Sequence, residues 1–205
     1  MTDEQALASG LAGSRHMVEM FETTESMTDR VSTFVLDGLR QGDAVLLAMR
    51  LPHWNLISTR LTAANVLLSD AVASGRLTVL DAARTLARMM WHGVPSGGLF
   101  DEVVGKTVRQ LNSSGAGLRV YSDMVDVLAA DGFFQASDAL EKLWSELAAR
   151  ESLTVLCGYS ASTFLNPETS NALGSICRSH TDVRLNQIGM SPAFPARPLD
   201  LPFDW

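Results

Sequence analysis

Residues 118–147 read LRVYSDMVDVLAADGFFQASDALEKLWSEL, and within them the chain passes from strand chemistry to helix chemistry at an acidic side chain. Leu118, Arg119, Val120 and Tyr121 make a short, mostly apolar run of strand type, and Asp123 follows at its carboxyl end. Met124, Val125, Leu128 and Ala129 then recur at helical spacing. Gly132 interrupts, and Leu140, Leu143, Trp144 and Leu147 form a stripe one helix face wide that has to pack on a neighbour. In an open α/β sheet, ligands bind in the crevice outside the carboxyl ends of the strands, so Asp123 is a site candidate by position.

The same grammar repeats on both sides of this junction. HMVEMF (16–21) alternates like a strand, and a helix follows with Ser26 or Thr28 as its cap, Met27, Val31, Phe34, Val35 and Leu39 on one face, and Gly42 at its end. AVLLAM (44–49) is an unbroken apolar run, the mark of a strand covered on both faces. Pro52 opens the next helix, with Trp54, Ile57 and Leu61 facing inward. Val66–Leu68 reads as a minor strand, and LTVL (77–80) as a strong one that ends on Asp81. A helix through Leu86, Met89 and Met90 stops in WHGVPSGG, and helical spacing resumes from Leu99 to Leu111. LTVLC (153–157) is a strand, a helix runs from Pro167 through Ile176, and Arg184–Ile188 reads as an edge strand. Strands alternating with helices predict an α/β fold in three layers: a mostly parallel central sheet with helices on both faces, joined by right-handed crossovers.

The 205 residues, 46% hydrophobic, suffice for one domain with a substantial core. The division expected is a flexible leader at 1–14, a folded domain at 15–190 and a tail at 191–205, where four of the seven prolines fall among Phe194, Phe203 and Trp205. A net charge of -7 with no run of Lys or Arg argues against nucleic acid and anionic membrane as direct partners. The start MTDEQALASG lacks the basic-then-apolar layout of a secretory signal. No apolar run approaches the roughly 18 residues that a membrane span needs. Cys157 and Cys177 are the only cysteines, too few for a disulfide framework, so a cytoplasmic protein with reduced thiols is expected.

Several chemistries can be weighed on these residues. Phosphate binding by a Walker A loop needs glycines and a Lys after a buried strand, but AVLLAM is followed by RLPHWNLIST, with neither. Asp81 and Asp123 then read as helix caps or pocket walls. Gly158-Tyr159-Ser160-Ala161-Ser162 resembles half of a nucleophile elbow but has Ser where the second Gly belongs. His16, Cys157, Cys177 and His180 form a soft-metal donor set, with Cys177 and His180 spaced to share a helix face; buried thiols and hydrogen-bonded histidines are the simpler reading. His53, Trp54, Trp91 and His92 fall after strands or at helix ends, where some would rim the crevice of Asp123 and Tyr159.

His16, the FVLDGLRQGD helix end, GRLTVLDA, LRVYSDM, LEKLWSEL and LTVLCGY occur in an order that resembles the MEDS domain, the methanogen/methylotroph, DcmR-type sensory domain. The match spans roughly residues 15 to 180. Asp123 stands where the family usually has Glu. The resemblance implies a divergent RecA/KaiC-like fold, a role in sensing small molecules such as simple hydrocarbon derivatives, and His and Cys at the positions found here. It also implies control of a transcription regulator or signalling kinase; with no helix-turn-helix or kinase core in these residues, output is expected to pass to a separate partner. The expected function is therefore a non-catalytic sensory domain for a small organic ligand, with a homo-oligomer an open alternative. His16, Trp54, Asp123, Cys157, Tyr159 and His180 are the expected ligand-binding residues. No cofactor is expected; a metal, if present, would fall on His16, Cys157, Cys177 and His180. The competing functions are a ligand-free module that docks a signalling kinase or an anti-sigma-type regulator, and a metal- or thiol-dependent enzyme.

Overall fold

The computed structural model describes residues 14–113, 115–165, 169–178 and 180–185. The expected leader up to residue 13, Pro167 and the tail at 191–205 lie outside the described residues. In chain order the elements are β1 (Arg15–Phe21), α1 (Thr24–Gln41), β2 (Ala44–Met49), α2 (Leu51–Ala63), α3 (Leu68–Ala73), β3 (Leu77–Asp81) and α4 (Ala82–Met89). A small antiparallel ribbon follows, β4 (Met90–Trp91) with β5 (Val94–Pro95). Next come α5 (97–112, widened to a π-type turn at Asp101–Gly105), β6 (Leu118–Ser122), α6 (Met124–Ala130) and α7 (Phe134–Glu151). The described chain closes with β7 (Thr154–Ser160), a short 3-10 turn, α8 (Ser170–Arg178) and β8 (Asp182–Leu185).

The central sheet has six strands in the order β3-β2-β6-β7-β1-β8, all parallel. Successive side chains on a strand point to opposite faces, and this divides the core in two. In β2, Val45, Leu47 and Met49 pack with Phe34, Ile57 and Leu61 of α1 and α2, whereas Leu46 and Ala48 pack with Leu86, Val104, Leu140 and Trp144 of α4, α5 and α7. All six β2 residues are buried, which is why that strand reads as an unbroken apolar run. The three-layer expectation holds.

Local chemistry explains several element ends. Thr23, not Ser26 or Thr28, caps α1: its hydroxyl accepts the Ser26 amide at 3.0 Å, while the Ser26 hydroxyl accepts the Thr23 amide at 3.2 Å. Thr28 instead donates to the Thr24 carbonyl one turn back. Gly42 ends α1 with φ +85°, a conformation that costs a residue with a Cβ. Asp81 caps α4 by accepting the Arg84 amide at 2.7 Å. Val66–Leu68 is not a strand: Asn65 turns the chain at φ +63°, and Leu68 already starts α3. The four residues between α2 and α3 turn the chain and pair with no strand of the sheet. The edge strand expected at Arg184–Ile188 begins at Asp182 and pairs with β1, while residues 186–188 fall outside the described part.

Candidate functional site

The carboxyl ends of β1, β2, β6 and β7 open on a cleft of about 410 Å3, within the range of small-molecule sites. Phe21, Met27 and Tyr121 give it apolar walls, Tyr159 borders it at the end of β7, and Thr23, Ser160 and Ser162 add hydroxyls. Gly158 lets the Tyr121 ring lie on β7, since a Cβ there would fall 2.5 Å from the phenolic oxygen.

Arg50, His53, Asp123 and Asp126 line the cleft as well, and they are engaged with one another. The Arg50 amide, at the start of α2, donates to Asp123 Oδ1 at 3.0 Å. His53 Nδ1 lies 2.7 Å from Asp123 Oδ2; a carboxylate only accepts, so the shared proton sits on Nδ1 and leaves Nε2 as an acceptor when the ring is neutral. The Arg50 guanidinium donates to Asp126 Oδ2 at 2.7 Å, and Asp126 Oδ1 accepts the Ser160 amide and the Thr163 hydroxyl, each at 3.0 Å. Burial, reinforced by the charges of Asp123 and Asp126, pushes the Tyr121 phenol well above its ordinary pKa, so it stays protonated.

A second polar group is sealed inside the layer between the sheet and α7. His16 on β1, Cys157 on β7, Glu141 on α7 and His180 just past α8 bring one donor atom each within 4.8 Å of one another. Glu141 Oε2 lies 3.1 Å from His16 Nε2 and 3.2 Å from His180 Nε2, and His16 Nε2 lies 3.4 Å from Cys157 Sγ. His180 Nδ1 faces the Ile176 carbonyl at 2.6 Å. Tyr159 stands between the two groups: the residue borders the cleft at the end of β7, while its side chain packs on the α7 side of the sheet and its hydroxyl donates to Glu141 Oε1 at 2.8 Å. Burial works to raise the Glu141 carboxyl, but the hydrogen bonds to His16 and His180 prevail and hold its pKa at about 2. Burial pushes the Cys157 thiol well up, and nearby Glu141 adds to the effect. On its own that thiol is a poor nucleophile.

The residues singled out in the sequence thus separate. Asp123 and Tyr159 line the cleft, whereas His16, Cys157 and His180 meet in the sealed group. Trp54 packs partly buried against the α1/α2 side of the core and does not line the cleft. Cys177 sits half-buried on α8, outside the group of four donors. His53 reaches the crevice, but Trp91 and His92 do not; Trp91 stands 64% exposed on the small ribbon. Sequence reasoning missed Arg50, Asp126 and, above all, Glu141. The signal for Glu141 was an acid on an inward face: Ser137, Glu141, Trp144 and Ala148 follow one another at helical spacing and are all buried.

The sequence model of the MEDS family, described as MEthanogen/methylotroph, DcmR Sensory domain, matches residues 15–181. A comparison with curated proteins finds no match. Among solved structures, a Pyrococcus horikoshii OT3 protein studied as project PH0250 is similar with a TM-score of 0.52 and 12% identity, over 89% of this chain and 86% of that one. At that identity the likeness concerns the fold alone.

Proposed function

Since the chain belongs to the MEDS family of sensory domains, we propose that its cleft binds a small, uncharged organic molecule and that occupancy is passed to a signalling partner such as a kinase or transcription regulator. The observation that carries this reading is the Asp123 carboxylate on the Arg50 amide at the start of α2. A helix N-terminus at that end of a parallel sheet is the ordinary seat of a phosphate. Here an internal anion holds the place, and Pro52 removes a further amide donor from the first turn. A nucleotide phosphate would meet two carboxylates already satisfied by protein donors. A neutral molecule meets instead the rings of Phe21 and Tyr121, the Ser160 and Ser162 hydroxyls, and His53, whose Nε2 is the acceptor for an alcohol hydrogen. No step in this account breaks or makes a covalent bond.

Thermal melts with small alcohols, alkyl halides, carboxylic acids and nucleotides test the proposal. A ligand at 100 times its Kd adds about 2.7 kcal/mol of stability. Neutral organic molecules should raise the midpoint, and the rise should vanish in His53→Ala. Stabilisation by magnesium-ATP, or by nothing in the panel, overturns the reading; the second result favours the ligand-free docking module.

A further inference from the structure

We propose that His16, Glu141, Cys157 and His180 are the ligands of a buried divalent transition-metal site of the zinc or iron(II) class, joined to the cleft through Tyr159. The sequence pointed to Cys177 as a donor. The fold puts Glu141 in its place and so converts a loose His/Cys set into a convergent one.

The spacing fits. A tetrahedral ion held by bonds of about 2.1 Å has ligand atoms about 3.4 Å apart along each edge, slightly more where sulfur takes part. Glu141 Oε2 to His16 Nε2, Glu141 Oε2 to His180 Nε2 and His16 Nε2 to Cys157 Sγ span 3.1, 3.2 and 3.4 Å, and all four donor atoms lie within 4.8 Å of one another, so the ion has to draw the longer edges in. Two imidazole nitrogens, a thiolate and a carboxylate form a borderline-soft donor set, which selects zinc or iron(II) over calcium or magnesium.

The surrounding shell is also that of a metal site. His180 Nδ1–H donates to the Ile176 carbonyl, which leaves Nε2 as a lone pair aimed at Glu141 Oε2 3.2 Å away. Two lone pairs face each other at that distance only with a cation between them, either a proton or a metal ion. A histidine ligand held by its other nitrogen on a backbone carbonyl is a recurring arrangement at metals, and Glu141 Oε1 is likewise oriented by the Tyr159 hydroxyl.

Charge admits a metal as readily as a proton. A divalent ion bound by a carboxylate, a thiolate and two neutral imidazoles forms a neutral unit, which suits a site where His16 is 3% exposed and Glu141 and Cys157 are 0% exposed. Binding releases the Cys157 thiol proton and the proton shared by His180 and Glu141, so charge balances at every stage. All four positions on the ion are filled by the protein, which is the mark of a closed, structural site. Its place in the fold gives it a role: it staples the segment carrying His180 and β8 to β1, β7 and α7, and any shift of Tyr159 on ligand binding reaches the donor carboxylate through its other oxygen.

The full chain is to be purified under reducing conditions and its metal content measured; it is then stripped with a chelator and titrated with cobalt(II) in the absence of oxygen. Stoichiometric uptake is expected, with the intense visible bands of four-coordinate cobalt and a near-ultraviolet thiolate charge-transfer band. Cys157→Ser should abolish the charge-transfer band, Glu141→Gln should weaken uptake at least tenfold, and Cys177→Ser should leave both unchanged. A stripped wild-type chain that keeps its fold by circular dichroism but takes up no cobalt overturns the proposal in favour of a proton-bridged pair. Persistence of the charge-transfer band in Cys157→Ser overturns it as well. Neither result bears on ligand binding in the cleft, which is read by the separate melting experiment.

Discussion

The cleft and the sealed group are built from the same side-chain types, carboxylate against imidazole, but they meet water differently. In the cleft the carboxylates are buried, Asp123 at 2%, but the His53 ring is 22% exposed and the Arg50 side chain 27%, whereas the side chains of both partners in the Glu141–His180 pair are 0% exposed. An acid–histidine pair that water can reach is able to exchange partners, since a ligand or a water replaces what it displaces. A pair that water cannot reach keeps its partner, because removing it strands a charge in a low-dielectric interior. The two groups lie on either side of Tyr159, so one fold holds a place for exchange next to a place for fixing.

Substitutions can break or sharpen that contrast. The largest effect belongs to Glu141→Ala, which leaves two buried histidines and a thiol without their common partner; a loss of about 3–5 kcal/mol is expected from chemical denaturation. Asp123→Ala should lose less, about 1–3 kcal/mol, because water can reach the Arg50 amide and His53 once the carboxylate is gone. That variant should also lose the melting shift produced by neutral organic molecules. A cost in Asp123→Ala equal to that in Glu141→Ala would erase the distinction. Thr23→Ala, which removes the cap of α1 beside the cleft, should cost about 1 kcal/mol. Asp101→Asn is the control: its contacts with Arg109 and Arg150 lie at the surface, where water and salt screen them, so the unfolding midpoint should not move measurably.

The layers were legible in the sequence because burial leaves a periodic trace. AVLLAM reads as a strand covered on both faces, and the stripe Leu140, Leu143, Trp144 and Leu147 as a packed helix, and both are so in the fold. The cleft was legible in part: Asp123 follows from its place at a strand end, whereas Arg50 and Asp126 were hidden because pairing across 76 residues leaves no local pattern. Glu141 was hidden for a different reason. An acid within an apolar helix face looks like a solvated neighbour until the fold shows what faces it. Trp54 misled in the opposite sense, since an aromatic residue near a strand end packs into core as readily as it walls a pocket. The small ribbon Met90–Pro95 escaped notice because its strands are two residues each, too short for alternation to register.

The central claim is that the strand-end cleft admits neutral organic molecules because Asp123 occupies the seat of a phosphate. Amide chemical-shift mapping of the nitrogen-15-labelled chain tests it most directly, with propanol and magnesium-ATP titrated in parallel. The account predicts saturable shifts with propanol concentrated at the amides of Arg50, Asp123 and Ser160, and none there with magnesium-ATP. Shifts at those same amides with magnesium-ATP, or propanol shifts scattered away from the cleft, would contradict it.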